Sequence, residues 1–244
     1  MSDANDRLHD REAVRREYSS DAGLATRAVA FQSHRVGPDA RDVAFDLVAR
    51  VPRTRVLEVG PGRGEFTQRV RDSLGCTVVG VDIARVMVDH TRARGIDAVV
   101  ADVRDLPWRD ETFDCVIANW VLYHVDDIDR ALAECVRILR RGGDLVAATT
   151  SDHNLAELWE SLGEAATPGR RFTRENGAAA LARHFDSTEQ HDVEAEVVFP
   201  DAGAVRAYVA ASITKSHLAE RVTDFAGEFR ARSAQSVFVA HRSS

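Results

Sequence analysis

The sequence predicts an α/β fold: a doubly wound, mostly parallel sheet with helices on both faces. Three observations lead there. Apolar, strand-like runs alternate with amphipathic helical stretches over about 100 residues, the pattern of crossover-connected parallel strands. The first of these runs ends in a glycine-rich turn that opens a helix, "VLEVGPGRGEF" at Val56–Phe66. And a carboxylate or amide stands at or just past the end of each of the first four strands, at Glu58, Asp82, Asp102 and Asn119. Ligands of open parallel sheets bind at those carboxyl ends, so the four are expected to meet.

Residues 5–34 read as polar, amphipathic helix broken near "SSDAG". "GPDARDVAFDLVAR" reads as a helix, with Pro38 near its start and Ala40, Val43, Ala44, Leu47 and Val48 on one face; Pro52 ends it. "TRVLEV" is a buried strand, followed by the glycine turn and a helix over "EFTQRVRDSL". "CTVVGVD" is the second strand, and "ARVMVDHTRARG" a helix closed by Gly95. "DAVVAD" and "FDCVIAN" are the third and fourth strands, "DIDRALAECVRILRRGG" a long helix with a glycine stop, and "DLVAATT" the fifth strand. After Ser151 the alternation weakens: 153–184 read as helical around a loop at "TPGRRFTREN", and "STEQHDVEAEVVF" alternates like an edge or antiparallel strand. "DAGAVRAYVAASI" and "HLAERVTDFAGEFRAR" read as helices, and "AQSVFVAHR" as a final strand. No repeat or linker divides the chain, so one domain is expected over 1–244, with a helical lid at 1–36, a core at 37–152, and cap helices plus closing strands at 153–244.

The 244 residues are 44% hydrophobic, enough for a buried core, and carry a net charge of −7. That sign disfavours nucleic acid, which selects clustered Lys and Arg, so no nucleic-acid partner is expected. No apolar run approaches the roughly 20 residues that cross a bilayer, and the polar start "MSDANDRLHDREAVRREY" is no signal peptide. Cys76, Cys115 and Cys135 lack metal or disulfide spacing. The expectations are a cytoplasmic chain with reduced thiols, no metal site and no membrane partner; oligomeric state, monomer or homodimer, is not legible.

Gly60, Gly62 and Gly64 let a backbone turn tightly and a ligand approach it closely. Their spacing is G-x-G-x-G, not the G-x-G-x-x-G of dinucleotide sites. Asp82, about 20 residues on, suits a ribose diol, or alternatively a helix N-cap. Glu58 discriminates between cofactors. A pyrophosphate beside it would be repelled by about 1 kcal/mol in water and more in a cleft, whereas a cationic tail would be attracted. S-adenosylmethionine has an adenosine, an ammonium and a sulfonium, and no phosphate. Pairing of Glu58 with Arg55 or Arg63 is the competing reading. Asp102 is suited to the adenine amino group and the Val103 amide to a ring nitrogen. Asn119, Trp120, Tyr123 and His124 would lie at the cleft mouth.

Together, "VLEVGPGRGEF", "VVGVDIARVMV", "VVADVRDLPW", "FDCVIANWVLYHVDDIDRALAECVRILRRGG" and "DLVAATT" resemble the class I, Rossmann-type S-adenosylmethionine-dependent methyltransferases, in the subgroup acting on small molecules in quinone pathways and natural-product synthesis. The resemblance is close over about 50–150. It implies a seven-stranded sheet with the last strand antiparallel. It implies Glu58, Gly60 and Gly62 on the methionyl side, Asp82 and Ile83 at the ribose, Asp102 and Val103 at the adenine, and Asn119 and Trp120 near the methionyl group, with Met87 in the same cofactor-binding set. Tyr18 would be a lid aromatic and Arg27 a partner for the methionyl carboxylate. The reaction implied is methyl transfer to an O, N or C atom of a small molecule, with S-adenosylhomocysteine as product. The donor arrives activated, so alignment is the main requirement; where a base is needed, His124 and His34 are candidates, with Tyr123 orienting. "NWVL" replaces the (D/N)PP(Y/F) turn of nucleobase and glutamine N-methylation, and no Pro-Cys or CxxxCxxC motif is present. An NAD-dependent oxidoreductase, disfavoured by Glu58, the glycine spacing and the lack of Y-x-x-x-K, and a non-catalytic S-adenosylmethionine-binding protein are the alternatives.

Overall fold

The computed structural model describes residues 31–164, 171–212 and 215–243. One eight-stranded sheet organises them. Its strands are β1 (Arg35–Val36), β2 (Arg55–Val59), β3 (Thr77–Asp82), β4 (Asp97–Val100), β5 (Phe113–Asn119), β6 (Leu139–Thr150), β7 (Ser187–Phe199) and β8 (Phe229–His241). Their order across the sheet is β1-β7-β8-β6-β5-β2-β3-β4. The five strands β4-β3-β2-β5-β6 are parallel. β8 runs antiparallel to both β6 and β7. The expected seven strands with an antiparallel last strand are therefore β2–β8. The two-residue β1 is an eighth, added antiparallel to the outer edge of β7.

Helices cover both faces because the strands between them are apolar on both sides, as buried parallel strands must be. On one face, α1 (Ala40–Ala49) and α2 (Glu65–Leu74) pack on Val56, Val78, Cys115, Ile117, Val146 and Val237. On the other, α4 (Ile128–Ile138) sets Ile128, Ala131, Leu132, Cys135 and Ile138 against Leu57, Val116, Leu145 and Phe238. Helix α3 (Arg85–Ala93) follows β3 and buries Met87, Val88 and Thr91. Short helices α5 (Ala156–Ser161) and α6 (Gly177–Leu181) and helix α7 (Ala202–Ala210) complete the set. Leu155, Leu158, Val205, Tyr208, Val209 and Leu218 form a third apolar cluster over Val197, Phe199 and Ala231. Each large side chain so buried contributes roughly 1.5–3 kcal/mol.

Four expected elements differ. The helix "DIDRALAECVRILRRGG" stops at Ile138, and "LRRGG" instead begins β6. The reason is the far end of the chain: the Gly142 N–H donates to the Arg242 carbonyl and the Arg242 N–H to the Gly143 carbonyl, a pairing local helix propensity cannot anticipate. "HLAERVTDFAGEFRAR" is a 3₁₀ turn at Ser216–Arg221 followed by irregular chain, and its last four residues open β8, pairing with Glu196, Val197, Val198 and Phe199. Residues 153–184 are helical only in α5 and α6 among the described residues. Asp82 is not the N-cap of α3; that residue is Ala84, whose N–H donates to the Asp82 carboxylate at 2.8 Å.

Candidate functional site

The parallel order brings the strand-end residues into line. Asp102, Asp82, Glu58 with Gly60, and Asn119 come from β4, β3, β2 and β5, which are neighbours in that order. Three strand spacings separate the outer two, roughly 14 Å.

Gly60, Gly62 and Gly64 have φ of +64°, +55° and +76°. These are left-handed conformations open to glycine at little cost. Space is short as well: a Cβ on Gly60 would lie 2.6 Å from Val121 Cγ2. The turn is pinned to the sheet by the Gly60 N–H, which donates to the Val81 carbonyl at 2.8 Å. Gly64 then serves as N-cap of α2 without a side-chain cap.

Glu58 is only 2% exposed. Its hydrogen-bond partner is a hydroxyl, not Arg55 or Arg63: Thr67 Oγ1 donates to Oε2 at 2.5 Å. Burial dominates its acidity and pushes the carboxyl up to about 7, against the lowering effect of the Thr67 bond. Asp82 moves the same way, to about 6, because burial outweighs the Ala84 and Ile83 amides that face it. Such groups favour a ligand that brings them positive charge or hydrogen-bond donors.

Asn119 closes β5. Both its Oδ1 and its Nδ2 are buried without a hydrogen-bond partner among the described residues. A buried amide with neither end satisfied is costly, by about 1–3 kcal/mol per group. Trp120 follows with φ +53°, held by its N–H on the Ala148 carbonyl at 2.8 Å. The chain then turns through a 3₁₀ segment, Leu122–His124, in which the Tyr123 and His124 rings lie 4.4 Å apart between centroids.

Asp102 is held side-on by Arg104, with Nε on Oδ1 at 3.0 Å and Nη2 on Oδ2 at 2.8 Å. Val103 is buried in the main core and Met87 is 1% exposed inside α3, while Ile83 is half-buried. The structure sets His34 apart from these residues. It precedes the edge strand β1, its ring 5.4 Å from that of Phe199. Four strand spacings, roughly 19 Å along the sheet, separate that edge from Asn119. Tyr18 and Arg27 lie outside the described residues. Thr67, Val121 and Arg104 escaped the sequence reading. Thr67 alone left a trace: a polar residue one turn before Val70 on the buried face of α2.

A parallel sheet with a left-handed glycine turn after its central strand and acids at its carboxyl ends defines the Rossmann-like, nucleotide-binding class I architecture. Residues 57–147 match the family model for a methyltransferase domain. Malonyl-[acyl-carrier protein] O-methyltransferase of Methylococcus capsulatus is 33% identical over 146 residues, covering 53% of this chain and 53% of the relative. Demethylmenaquinone methyltransferase of Renibacterium salmoninarum is 36% identical over 113 residues, covering 46% and 47%. The chain spans about half the length of these curated relatives. Among solved structures, Haemonchus contortus phosphoethanolamine N-methyltransferase 2, in complex with phosphomonomethylethanolamine and S-adenosylhomocysteine, shares the fold with a TM-score of 0.60 and 15% identity, over 92% of this chain and 58% of that one.

Proposed function

We propose that the chain transfers a methyl group from S-adenosylmethionine to an O, N or C atom of a small-molecule acceptor, in the manner of the quinone-pathway and natural-product enzymes it resembles. The observation that carries this reading is the unsatisfied Asn119 amide in line with the buried Glu58 carboxyl and the half-buried Asp82 carboxyl around a left-handed glycine turn. Together they offer two acid groups and a free amide, and no cation among them: a poor cradle for pyrophosphate and a good one for a nucleoside with an ammonium tail. The residues therefore fit the cofactor of the class.

In this reading Glu58 binds the cationic tail, and Thr67 orients it. Asp82 takes the ribose hydroxyls, Asp102 and the Val103 amide the adenine, and Asn119 the methionyl end. Trp120, Tyr123 and His124 line the acceptor side, where His124 would take a proton from an O–H or C–H acceptor. Bound there, the cofactor supplies a methyl group already activated on sulfur. The protein's task is to align the acceptor and exclude water, and it needs no metal. The core at 37–152 would hold the cofactor, and 153–244 would complete the acceptor pocket. The relatives named act on malonyl-[acyl-carrier protein] and demethylmenaquinone; a small oxygen- or carbon-centred acceptor follows by extension.

Calorimetry with S-adenosylmethionine and S-adenosylhomocysteine tests the cofactor assignment. Both should bind, and Asp82→Ala should weaken both at least tenfold. Binding of NAD instead, or of neither nucleoside, would remove the reading. Release of S-adenosylhomocysteine across a metabolite panel then finds the acceptor; cofactor binding with no turnover on any member would favour the non-catalytic alternative.

A further inference from the structure

The loop that carries Asp102 hangs from an outer strand. β4 is the last strand of the sheet and pairs with β3 on one side. Its register ends at Val100, with one more bond from the Ala101 N–H to the Asp82 carbonyl. Past that point the sheet ladder no longer sets the backbone, which among the described residues adds local contacts between Asp102 and Asp105 and between Leu106 and Trp108. A carboxylate placed there would sample several rotamers and positions, each diluting its contact with a ligand.

Side chains supply the missing constraint, and Arg104 is at their centre. Its guanidinium takes both oxygens of Asp102 and also donates from Nη1 to Asp126 Oδ1, next to the Asp127 N-cap of α4. Its own backbone N–H donates to Asp102 Oδ1 at 2.9 Å. Helix α4 then grips the rest of the loop. Arg130 Nε donates to the Arg104 carbonyl at 2.9 Å, Glu134 accepts from the Leu106 N–H at 2.8 Å, and Arg137 donates to the Leu106 and Trp108 carbonyls at 3.0 and 2.7 Å. A side-on guanidinium–carboxylate fork fixes orientation as well as charge, which a lysine would not.

We propose that Arg104 is the positioning residue for base selection: by clamping Asp102 and tethering it to Asp126, it holds that carboxylate in place to accept from the exocyclic amino group of adenine. The inference rests on the cofactor reading above and adds to it the residue that makes the amino group matter. A base with an oxo group at the same position offers an acceptor to an acceptor, and a fixed Asp102 carboxylate rejects it. Released from Arg104, the carboxylate turns away, and the distinction fades.

The test is calorimetry on the full chain with two ligands, S-adenosylhomocysteine and S-inosylhomocysteine, which differ in that group and in the proton that the oxo base carries on the neighbouring ring nitrogen. The unaltered chain should prefer the amino ligand at least tenfold. Arg104→Ala should weaken the amino ligand about tenfold and shift the oxo ligand less than threefold, so that the preference collapses. Asp126→Ala, which removes the tether and leaves the fork, should narrow the preference less, and it decides alone if Arg104→Ala does not fold. Equal losses for both ligands would mark Arg104 as merely structural and overturn the proposal. So would unchanged binding in both variants, or an unaltered chain that does not distinguish the ligands. If the unaltered chain binds neither ligand, the cofactor reading falls and takes this inference with it.

Discussion

Glu58 shows how much one buried carboxyl can decide. Its acidity sits near neutral pH because burial in β2 disfavours the ionised form and a single hydroxyl, from Thr67, faces it. A cationic ligand binds the ionised form, so binding expels a proton wherever the empty site is protonated. Affinity for S-adenosylmethionine should therefore be flat above about pH 7 and fall as pH drops below it, by up to about tenfold per unit for one linked proton. Titrations between pH 5.5 and 8.5 check this, and Glu58→Gln should bind weakly with the slope removed. An unchanged slope in that variant would assign the proton elsewhere, first to Asp82. Gly60 makes a second point at this scale. Gly60→Ala must place a Cβ 2.6 Å from Val121 in a left-handed conformation. Conformation alone costs about 1–2 kcal/mol, so the variant should unfold at lower denaturant and lose cofactor binding. Val121 was not legible beforehand, since it meets Gly60 across the fold, and Thr67 left only the trace of a polar residue on the buried face of α2. The glycines and Glu58 were legible, because a turn and its acid lie within seven residues of one another.

At the scale of elements, the sheet is knitted at the end opposite the site. Arg53, 8% exposed in the turn between α1 and β2, donates to the Val48 carbonyl, the Asp114 carbonyl and Asp144, so one side chain joins α1, β5 and β6. Asp144 also meets His241 Nδ1 at 2.8 Å, at the end of β8. Removing one partner of a buried pair leaves the other uncompensated, at about 3–5 kcal/mol. Arg53→Ala should lose stability on that scale in denaturant melts, and more than Arg50→Ala, whose pair with Glu189 is exposed. A loss as small as that of Arg50→Ala would show that water replaces the bonds. Elements with their own periodicity, α1 to α4 and β2 to β5, could be read from the chain. The start of β6 and the start of β8 could not. Both look helical locally, and both are strands because partners distant in the sequence pair with them.

For the molecule as a whole, the site is maintained against stability. Glu58 in the unfolded chain ionises near 4.5, and in the folded, ligand-free chain near 7. Below pH 4.5 both states hold the proton. Between 4.5 and 7 only the folded state does, so stability falls as pH rises through that window and then levels. The share from Glu58 is about 3 kcal/mol by the usual conversion of pKa to free energy, and Asp82 acts in the same direction. Denaturant melts of the ligand-free chain at pH 5 and pH 8 should show the drop, and Glu58→Gln should shrink it. A variant that shows the full drop would exclude Glu58 as its source.

The sequence alone determined the α/β class, the succession of parallel strands in the core, and the acid-and-glycine signature of the cofactor. All of these are written in local periodicity and short spacings. Tertiary structure decided the rest: that an eighth strand caps the edge at β7, that His34 lies at that edge far from Asn119, that Thr67 holds Glu58 and Arg104 holds Asp102, and that the Asn119 amide is buried with no partner among the described residues. These depend on which side chains strand order and helix packing bring together. Such meetings are set by long-range pairing and burial, and a linear pattern does not encode them one residue at a time.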